Sequence, residues 1–371
     1  MQRAKDTLAT IVAPLGITFN GPNPWDPHVH DQRVYERILG GWSLAAGESY
    51  MDGWWDVDDL PGLFERLTRH RFQARISYDM RSMFSLGRAL IGNMQARARA
   101  FQVAHEHYDL GNDLYEAMLG PSMVYTCAYW ADAETLTDAQ YAKLDLVARK
   151  VGLKPGDSVL DIGCGFGSFA KLAAEKYGAT VRGTSVSSAQ CDYARTHTAG
   201  LPVEIVLEDY RDTTGSYDHI VSIGMFEAVG AKNFRTYMQK AHDLLKPGGL
   251  FVLHTIGQNT STQVGDPWID RYIFPNGVLP SVAQIGRALE GLFVLEDWHS
   301  FGPYYDRTLT AWWQNFDAAW AQLAPRYGER FYRMWRYYLL GCAGTFRARE
   351  NQLWQVVLSK GGTREPYRAV R

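Results

Sequence analysis

The feature that most constrains the fold is an alternation of strand-like and helix-like segments after about residue 150. Helical patterns lie between most of the strand-like segments, and such alternation predicts a doubly wound α/β fold with helices on both faces of the sheet. Seven segments have the apolar character of buried strands, namely 158–163, 179–185, 202–207, 218–224, 250–256, 293–298 and 353–359. The long stretch between the last two segments predicts two helices that separate near Pro325 and Gly328.

Residues 1–100 predict a smaller, mostly helical N-terminal domain, and residues 101–371 predict the domain that holds the sheet. Segment 66–99 contains eight arginines and one acid, Asp79, so it carries a charge of +7 in a chain of net charge −2. Apolar residues recur there at helical spacing, which is typical of a basic helix on an anionic membrane surface. A core helix followed by a solvated basic linker explains the same pattern. The apolar positions are Met83, Leu86, Leu90, Ile91 and Met94.

The net charge, the apolar runs and the cysteine spacing indicate which partners and which compartment to expect. The small net charge provides no global field for nucleic acid, so we expect no nucleic-acid partner. No apolar run reaches the ~18 residues that a transmembrane helix needs. The four cysteines have neither metal-ligand nor CxxC spacing, which favours a reduced, cytoplasmic chain without a metal site. They are Cys127, Cys164, Cys191 and Cys342.

The segment VLDIGCGFGSFAKLA (159–173) predicts a strand, a glycine turn and the start of a helix. Gly163, Gly165 and Gly167 allow close approach of a ligand to the backbone, and the helix N-terminus offers free N–H groups. A dinucleotide site would place a third glycine at Ser168 and an acid at the end of the second strand, and both are missing. Asp161 instead offers a carboxylate to an ammonium group, which favours an amino-acid-bearing nucleoside.

Further candidate cofactor residues follow the second and third strands. Gln190 has two interpretations: it completes a capping box with Ser187, or it reaches a ribose hydroxyl. Asp209 and Tyr210 are placed to bind an adenine amino group and to stack on its ring, although EDY is also a plausible polar strand end. DIGCGFG resembles the first motif of the class I, Rossmann-like S-adenosylmethionine methyltransferases, and this resemblance implies that cofactor.

Segments throughout the chain resemble the cyclopropane fatty acid synthases, which modify unsaturated acyl chains of membrane phospholipids. The resemblance implies transfer of a methylene carbon from S-adenosylmethionine to a cis double bond, through a carbocation that loses a proton to bound bicarbonate. It also implies a homodimer, and a cytoplasmic protein associated peripherally with the inner face of the membrane. The segments are EHYDLGNDLYEAML (106–119), YTCAYW (125–130), GMFEAVG (224–230), LHTIG (253–257), YIFPNGVLPS (272–281) and CAGTFRARENQLWQVV (342–357), with GESYMDGWW (47–55) near the N-terminus.

The family's functional residues transfer to this chain by local motif. The bicarbonate ligands fall on Cys127, Glu227, His254, Ile256 and Tyr305, with Cys127 and Ile256 acting through backbone groups. The S-adenosylmethionine contacts fall on Tyr125, Thr126, Gly163, Gly165, Ser185, Gln190 and Tyr210. Each has a simpler structural role as its alternative, and a buried glutamate is the strongest single signal because an unpaired buried carboxylate is costly.

The chain departs from the family at Ala228, where a histidine is common. We expect the protein to be active despite this difference, because the bicarbonate ligands are otherwise present. Three other functions stay open: formation of methyl- or methylene-branched chains on the same lipids, methylation of a small molecule, and lipid binding without catalysis. Neither the preferred double bond and headgroup nor the course of the acyl channel follows from the sequence.

Overall fold

The computed structural model describes residues 1–69 and 111–371. Residues 70–99 of the basic segment and the predicted domain boundary at residue 100 therefore lie outside the described residues. The N-terminal part contains three helices and a two-stranded antiparallel sheet, in agreement with a mostly helical unit. Its elements are α1 (Gln2–Val12), β1 (His28–Val29), α2 (Val34–Met51), β2 (Trp55–Asp56) and α3 (Leu60–Arg69).

The second described part contains the predicted seven-stranded sheet and the helices around it. Its strands are β3 (Ser158–Ile162), β4 (Thr180–Ser185), β5 (Val203–Leu207), β6 (Tyr217–Ile223), β7 (Leu245–Gln258), β8 (Val294–Ser300) and β9 (Asn351–Ser359). Its helices are α4 (Asn112–Leu119), α5 (Leu136–Val151), α6 (Ser168–Tyr177), α7 (Ser188–His197), α8 (Phe234–Leu244), α9 (Pro267–Tyr272), α10 (Val282–Leu289) and α11 (Pro303–Arg347).

The strand order in this sheet is β5-β4-β3-β6-β7-β9-β8. The pairs from β5 to β7 are parallel, whereas β9 runs antiparallel to both β7 and β8. The strand order reverses between β3 and β6, because β4 lies on one side of β3 and β6 on the other. Open α/β sheets bind their ligands at such a point, outside the carboxyl ends of the strands. All seven predicted strands and the α/β fold class are confirmed.

Helix α11 is two helices in one element, as predicted. The backbone of Gly328 is non-helical (φ 74°, ψ 165°), and Pro325 lies one turn before it. A proline removes one helical N–H donor, and a glycine adopts positive φ at little cost, so the sequence explains the break. None of the helices in the described ranges is long and apolar enough to cross a membrane.

The N-terminal helices share a hydrophobic core with the rest of the described chain. Trp268 of α9 is buried against α2: its Nε1 contacts the sulfur of Met51 at 3.4 Å, and its ring packs on Tyr337 of α11 at 4.6 Å between centroids. Asp266 caps α9 and accepts a hydrogen bond from Ser43 of α2. The N-terminal unit therefore contacts the loop 257–280 that lies beside the sheet edge.

Candidate active site

The glycine turn adopts the geometry that its sequence predicts. Gly163 and Gly165 have positive φ values (79° and 55°), and the amides of Gly163 and Cys164 both donate to the carbonyl of Thr184 on β4. A Cβ at Gly163 would lie 2.6 Å from Met225, whereas one at Gly165 would meet no atom within 4 Å. The turn thus bonds to the neighbouring strand and leaves open space over Gly165.

A cavity opens at this turn, at the carboxyl edge of β3, β4 and β6. Gly167 alone among the predicted cofactor residues does not line it; it precedes α6, and a Cβ there would lie 2.9 Å from Ala194. Gly167 therefore serves the packing of α6 on α7. The predicted residues that line the cavity are Tyr125, Thr126, Asp161, Gly163, Gly165, Ser185, Gln190, Asp209 and Tyr210.

Asp161 gives the cavity a buried acid. The side chain is 1% exposed, and neither carboxylate oxygen has a hydrogen-bond partner among the described residues. Burial raises its pKa to about 7, and the nearby charge of Lys143 lowers it in part. Since an unpaired buried carboxylate is costly, this position is suited to a cationic ligand group.

The contacts of Gln190 bear on its two interpretations, the capping box and the ribose contact. Ser187 does cap α7, accepting from the Gln190 amide at 3.3 Å, but the Gln190 side chain does not return to the Ser187 amide. Its Oε1 instead accepts from the Ser185 hydroxyl at 3.1 Å, and that hydroxyl accepts from the Ser187 amide. The full capping box is therefore wrong, and both side chains remain at the cavity wall.

Asp209 and Tyr210 line the cavity after β5. Asp209 is 2% exposed and accepts the backbone N–H of Arg211 at 3.0 Å, which ties the turn after β5. The Tyr210 hydroxyl is buried with no hydrogen-bond partner in the described part of the chain. Both side chains thus contribute polar atoms at the place where the sequence predicts the adenine.

Glu227 lies on a short 3-10 helix, Phe226–Ala228, that follows β6. Its Oε1 accepts the backbone N–H of Ile256 at 2.6 Å, so this amide is already engaged by the protein. Its Oε2 is buried without a hydrogen-bond partner within residues 1–69 and 111–371, although the side chain as a whole is partly exposed. Burial raises the pKa of Glu227 to about 7.

His254 lies two residues before Ile256 on β7, so the two side chains share a face of the sheet. The Gln355 amide nitrogen lies 3.2 Å from Nδ1 of His254, which places the ring hydrogen on Nε2. That Nε2 is buried and has no hydrogen-bond partner in the described ranges. Burial lowers the pKa of His254 well below its ordinary value, so the ring is a neutral donor.

Cys127 and Tyr305 meet at the first turns of α11. Cys127 is fully buried, its sulfur lies 3.9 Å from the hydroxyl of Thr308, and that hydroxyl also binds the amide of Ala128. Burial raises the pKa of both Cys127 and Tyr305, and the nearby carboxyl of Glu227 raises that of Tyr305 further. The thiol and the phenol thus remain protonated.

Aromatic rings surround this polar group. Tyr305 packs on Phe346 and Trp312 with centroids 4.5 and 5.9 Å apart, and Trp312 packs on Tyr125 at 5.2 Å. The Tyr125 hydroxyl pairs with that of Tyr338 at 2.8 Å. Aromatic faces of this kind can hold a cation without forming a bond to it.

The five predicted catalytic residues do not line the cavity itself. They lie behind its wall, which near Glu227 is formed by Met225, Ala228 and Val229. The sequence prediction missed two polar residues here, Lys143 and Gln355. The sequence signal for both is a polar residue in an apolar pattern. Lys143 lies among the buried positions of α5, and Gln355 interrupts the apolar strand β9.

The chain is similar to a known protein family and to several known proteins. Residues 95–356 match the family model described as mycolic acid cyclopropane synthetase. The chain is 48% identical over 351 residues to the cyclopropane-fatty-acyl-phospholipid synthase of Escherichia coli, covering 95% of this chain and 92% of that protein. It is 37% identical over 269 residues to a probable fatty acid methyltransferase of Pseudomonas putida, covering 68% of each.

A solved structure shares the fold of most of the chain. The mycolic acid cyclopropane synthase CmaA1, complexed with SAH and CTAB, superposes with a TM-score of 0.66 and 32% identity. The match covers 70% of this chain and 98% of that one. Because the family model covers more than half of the chain and a relative matches almost all of it at 48% identity, the chain belongs to the mycolic acid cyclopropane synthetase family.

Proposed function

We propose that this protein transfers a methylene carbon from S-adenosylmethionine to the cis double bond of unsaturated phospholipid acyl chains and closes a cyclopropane ring. The single observation that carries the proposal is a pair of buried polar atoms, Glu227 Oε2 and His254 Nε2, that have no hydrogen-bond partner in the described part of the chain and lie among aromatic rings. A methyltransferase for a polar substrate has no need of a dry polar group beside a wall of aromatic rings. The 48% identity to a synthase of this kind supports the same substrate class.

The cavity residues fit S-adenosylmethionine, which would supply an electrophilic methyl group. Asp161 would hold the ammonium of the methionyl part, and the open space over Gly165 admits a ligand against the backbone. Gln190 and Ser185 would reach the ribose, while Asp209 and Tyr210 would hold the adenine. Gly167 is left out of this set because its role is in packing.

The polar group behind the cavity wall fits a small oxyanion, and the resemblance assigns the proton removal to bicarbonate held there. His254 would donate its Nε2–H to an anion oxygen, and Tyr305 would donate its O–H. Glu227 would accept an acidic hydrogen at Oε2 while Oε1 stays on the Ile256 amide. Ile256 is therefore the weakest member of the predicted ligand set, because its N–H is already bonded to Glu227.

Exclusion of water is the other task of these residues. A carbocation on the acyl chain would react with water to give an alcohol, so the chemistry needs a dry enclosure. Tyr125, Trp312 and Tyr305 form apolar walls, and their ring faces stabilise positive charge without a covalent bond. We therefore place the reacting double bond among these rings.

Product analysis tests the proposed reaction. Purified protein is incubated with unsaturated phospholipid vesicles and labelled S-adenosylmethionine, and the lipids are then examined by proton NMR. The proposal predicts the upfield signals of cyclopropane ring protons. A methylene-branched chain has the same mass as the ring product, so mass alone does not decide; vinylic methylene signals instead of ring signals would favour the branched-chain alternative, which the likeness to a probable fatty acid methyltransferase supports.

Glu227→Gln separates catalysis from lipid binding. The amide keeps the size of the side chain but is a poor acceptor for an acidic hydrogen, and loss of a positioned acid–base group costs about 10²–10⁴-fold in rate. We expect turnover to fall by that order while S-adenosylhomocysteine and lipid still bind. Unchanged turnover would contradict the enzymatic role of Glu227.

We also propose that the protein is a homodimer and binds the cytoplasmic surface of the membrane through its N-terminal unit. The net charge of +7 over residues 66–99 supports an electrostatic contribution to an anionic bilayer. Binding to anionic vesicles should therefore weaken as salt rises, and binding that ignores salt would contradict it. Light scattering at several protein concentrations tests the dimer.

A further inference from the structure

Three polar side chains form a row across three neighbouring strands of the sheet. Gln355 of β9 lies opposite His254 of β7 on one side and opposite His299 of β8 on the other. Directly opposed residues of neighbouring strands project from the same face, so the three side chains share one face. Gln355 is fully buried, and a buried amide is costly unless it is hydrogen-bonded. Its contacts therefore indicate why a polar residue stands in an apolar strand.

Helix α5 covers this face of the sheet. Val252 and Val357, each two residues from a member of the row, belong to one hydrophobic cluster with Val147 of the helix. The helix also carries two buried lysines, Lys143 and Lys150. The buried end of the row therefore lies among apolar side chains and ammonium groups.

These surroundings oppose a positive charge on His254. Burial lowers the pKa of the ring, and the ammonium groups of Lys143 and Lys150 lower it further. A neutral imidazole carries one hydrogen, so one ring nitrogen donates and the other accepts. The ring can offer that hydrogen at Nε2 when Nδ1 takes the accepting role.

Gln355 supplies the donor at Nδ1. Its amide nitrogen lies 3.2 Å from Nδ1 of His254, and an amide NH₂ group only donates. A reversed amide would place Oε1 at Nδ1, draw the hydrogen to that nitrogen and leave Nε2 as an acceptor. An anion would then meet no hydrogen on this ring. The orientation of one buried amide thus decides whether the ring can bind an anion.

We propose that Gln355 is a positioning residue that fixes His254 as a neutral donor through Nε2. The inference rests on the proposed function, because the ligand that would accept this hydrogen is the small oxyanion held with Glu227 and Tyr305. His254 then helps to bind the anion but does not take a proton from it, since Nδ1 is already engaged by the amide. A role of Gln355 in packing alone would make no demand on the ring hydrogen.

Nitrogen NMR of histidine-labelled, full-length protein tests the assignment without catalysis. The His254 signals are identified as those missing from His254→Asn. Above neutral pH the unchanged protein should show a hydrogen on Nε2 and none on Nδ1. Gln355→Glu keeps the size of the side chain but puts a carboxylate in place of the donor, and an ionised carboxylate only accepts, so a hydrogen should appear on Nδ1.

Gln352→Glu is the matched control for a new carboxylate in the same strand. Gln352 is also buried, and its Oε1 already accepts from the guanidinium of Arg349 at 2.9 Å. A carboxylate there keeps an acceptor for that group. This variant should leave the ring hydrogen of His254 on Nε2.

Steady-state kinetics measures the consequence for the reaction. Loss of the partner behind a metal-binding histidine costs about 10- to 100-fold in affinity or activity, and we expect a rise of that order in the bicarbonate KM of Gln355→Glu. The KM for S-adenosylmethionine should stay nearly the same, because the residues that line the cavity are untouched. Such a split between the two KM values would not follow from a general loss of packing.

The outcomes keep this inference apart from the proposed function. A hydrogen on Nδ1 of the unchanged protein, or a ring hydrogen and bicarbonate KM that Gln355→Glu does not alter, would overturn the role of Gln355. Should that variant fail to fold, Gln355→Met decides, because it removes the donor without adding charge and must also raise the bicarbonate KM. An unchanged protein that has the expected ring hydrogen but forms no cyclopropane lipid would overturn the proposed function, while the assignment of the ring hydrogen would stand.

Discussion

Partially or wholly unpartnered polar side chains gather at one edge of the sheet. Asp161 lies near the end of β3, Glu227 follows β6 and His254 lies within β7. Each has a buried polar atom without a partner among the described residues. Folded chains pair most such atoms, so a cluster of exceptions indicates a ligand site. The cavity around Asp161 and the polar group around His254 lie near each other, because the charge of Lys143 lowers the pKa of both Asp161 and His254.

The raised pKa of Glu227 predicts a pH-dependent cost to stability. Its folded pKa is about 7 against an ordinary value of 4.5, so the folded state holds the proton more tightly than the unfolded state does. The stabilising effect of the proton is complete below pH 4.5 and is lost as pH rises through 7. Glu227→Gln should therefore be more stable than the unchanged protein at pH 8, by on the order of 1 kcal/mol, with a smaller difference at pH 6.

Unfolding by urea at the two pH values measures this difference. Glu296 lies on the edge strand β8 and accepts a hydrogen bond from the Ser359 hydroxyl, so Glu296→Gln serves as a control at another carboxylate. A stability gap that widens as pH falls would mean that Glu227 is ionised in the fold well below pH 7.

Ala228 is the departure from the family pattern that lines the cavity. Its methyl group is exposed there, and none of the predicted bicarbonate ligands depends on it. We expect the unchanged protein to be active, and Ala228→His to alter the S-adenosylmethionine KM more than kcat. An inactive protein that gains turnover only as Ala228→His, in the radiolabel-transfer assay, would show that this position carries part of the catalytic apparatus.

At the scale of elements, the apolar runs predicted all seven strands and the break in α11, because burial on both faces imposes continuous hydrophobic sequence. The glycine turn also predicted the cavity. Lys143 and Gln355 escaped prediction because their roles depend on which faces meet in three dimensions. A polar residue inside an apolar stripe is a detectable signal, but its partner lies far away in the chain.

Gly224, which follows β6, lies close to Thr126, and this contact can be tested by substitution. Gly224 has φ 75°, and an added Cβ would lie 2.4 Å from Thr126, so Gly224→Ala must move one of the two loops. We expect a loss of about 1–3 kcal/mol in stability and weaker binding of S-adenosylmethionine. Gly286→Ala in α10 is the control, since its Cβ meets nothing within 4 Å and alanine favours a helix by up to ~1 kcal/mol.

Chemical denaturation and calorimetry measure the two effects. Normal cofactor affinity in a folded Gly224→Ala protein would show that the position of Thr126 does not control the cavity.

In the whole molecule, the described N-terminal helices and the part that holds the sheet share a hydrophobic core. One hydrophobic cluster joins α2 and α3 to α9 and α11. Trp268 belongs to this cluster, is 1% exposed and lies in the segment 257–280, whose Pro275 and Asn276 reach the cavity. A lipid-associated N-terminal unit would therefore touch the loop that borders the cofactor site.

This shared core predicts cooperative unfolding. An added Cβ at Gly47 would lie 2.3 Å from the Trp268 ring, so Gly47→Ala should lower the stability of the whole described chain by about 1–3 kcal/mol in one transition. Gly40→Ala on the same helix meets nothing within 4 Å and should not do so. Two separate transitions in a calorimetric scan, with only one shifted, would mean that the units unfold independently.

We propose that Glu227, His254 and Tyr305 hold a small oxyanion that accepts the proton released as the ring closes. The most direct measurement is the rate of ring formation on unsaturated phospholipid vesicles in buffer depleted of carbon dioxide, followed by addition of bicarbonate. We expect that depletion lowers turnover, that bicarbonate restores it at constant pH, and that Glu227→Gln does not respond. Full turnover without bicarbonate, or an equal response of Glu227→Gln, would contradict it.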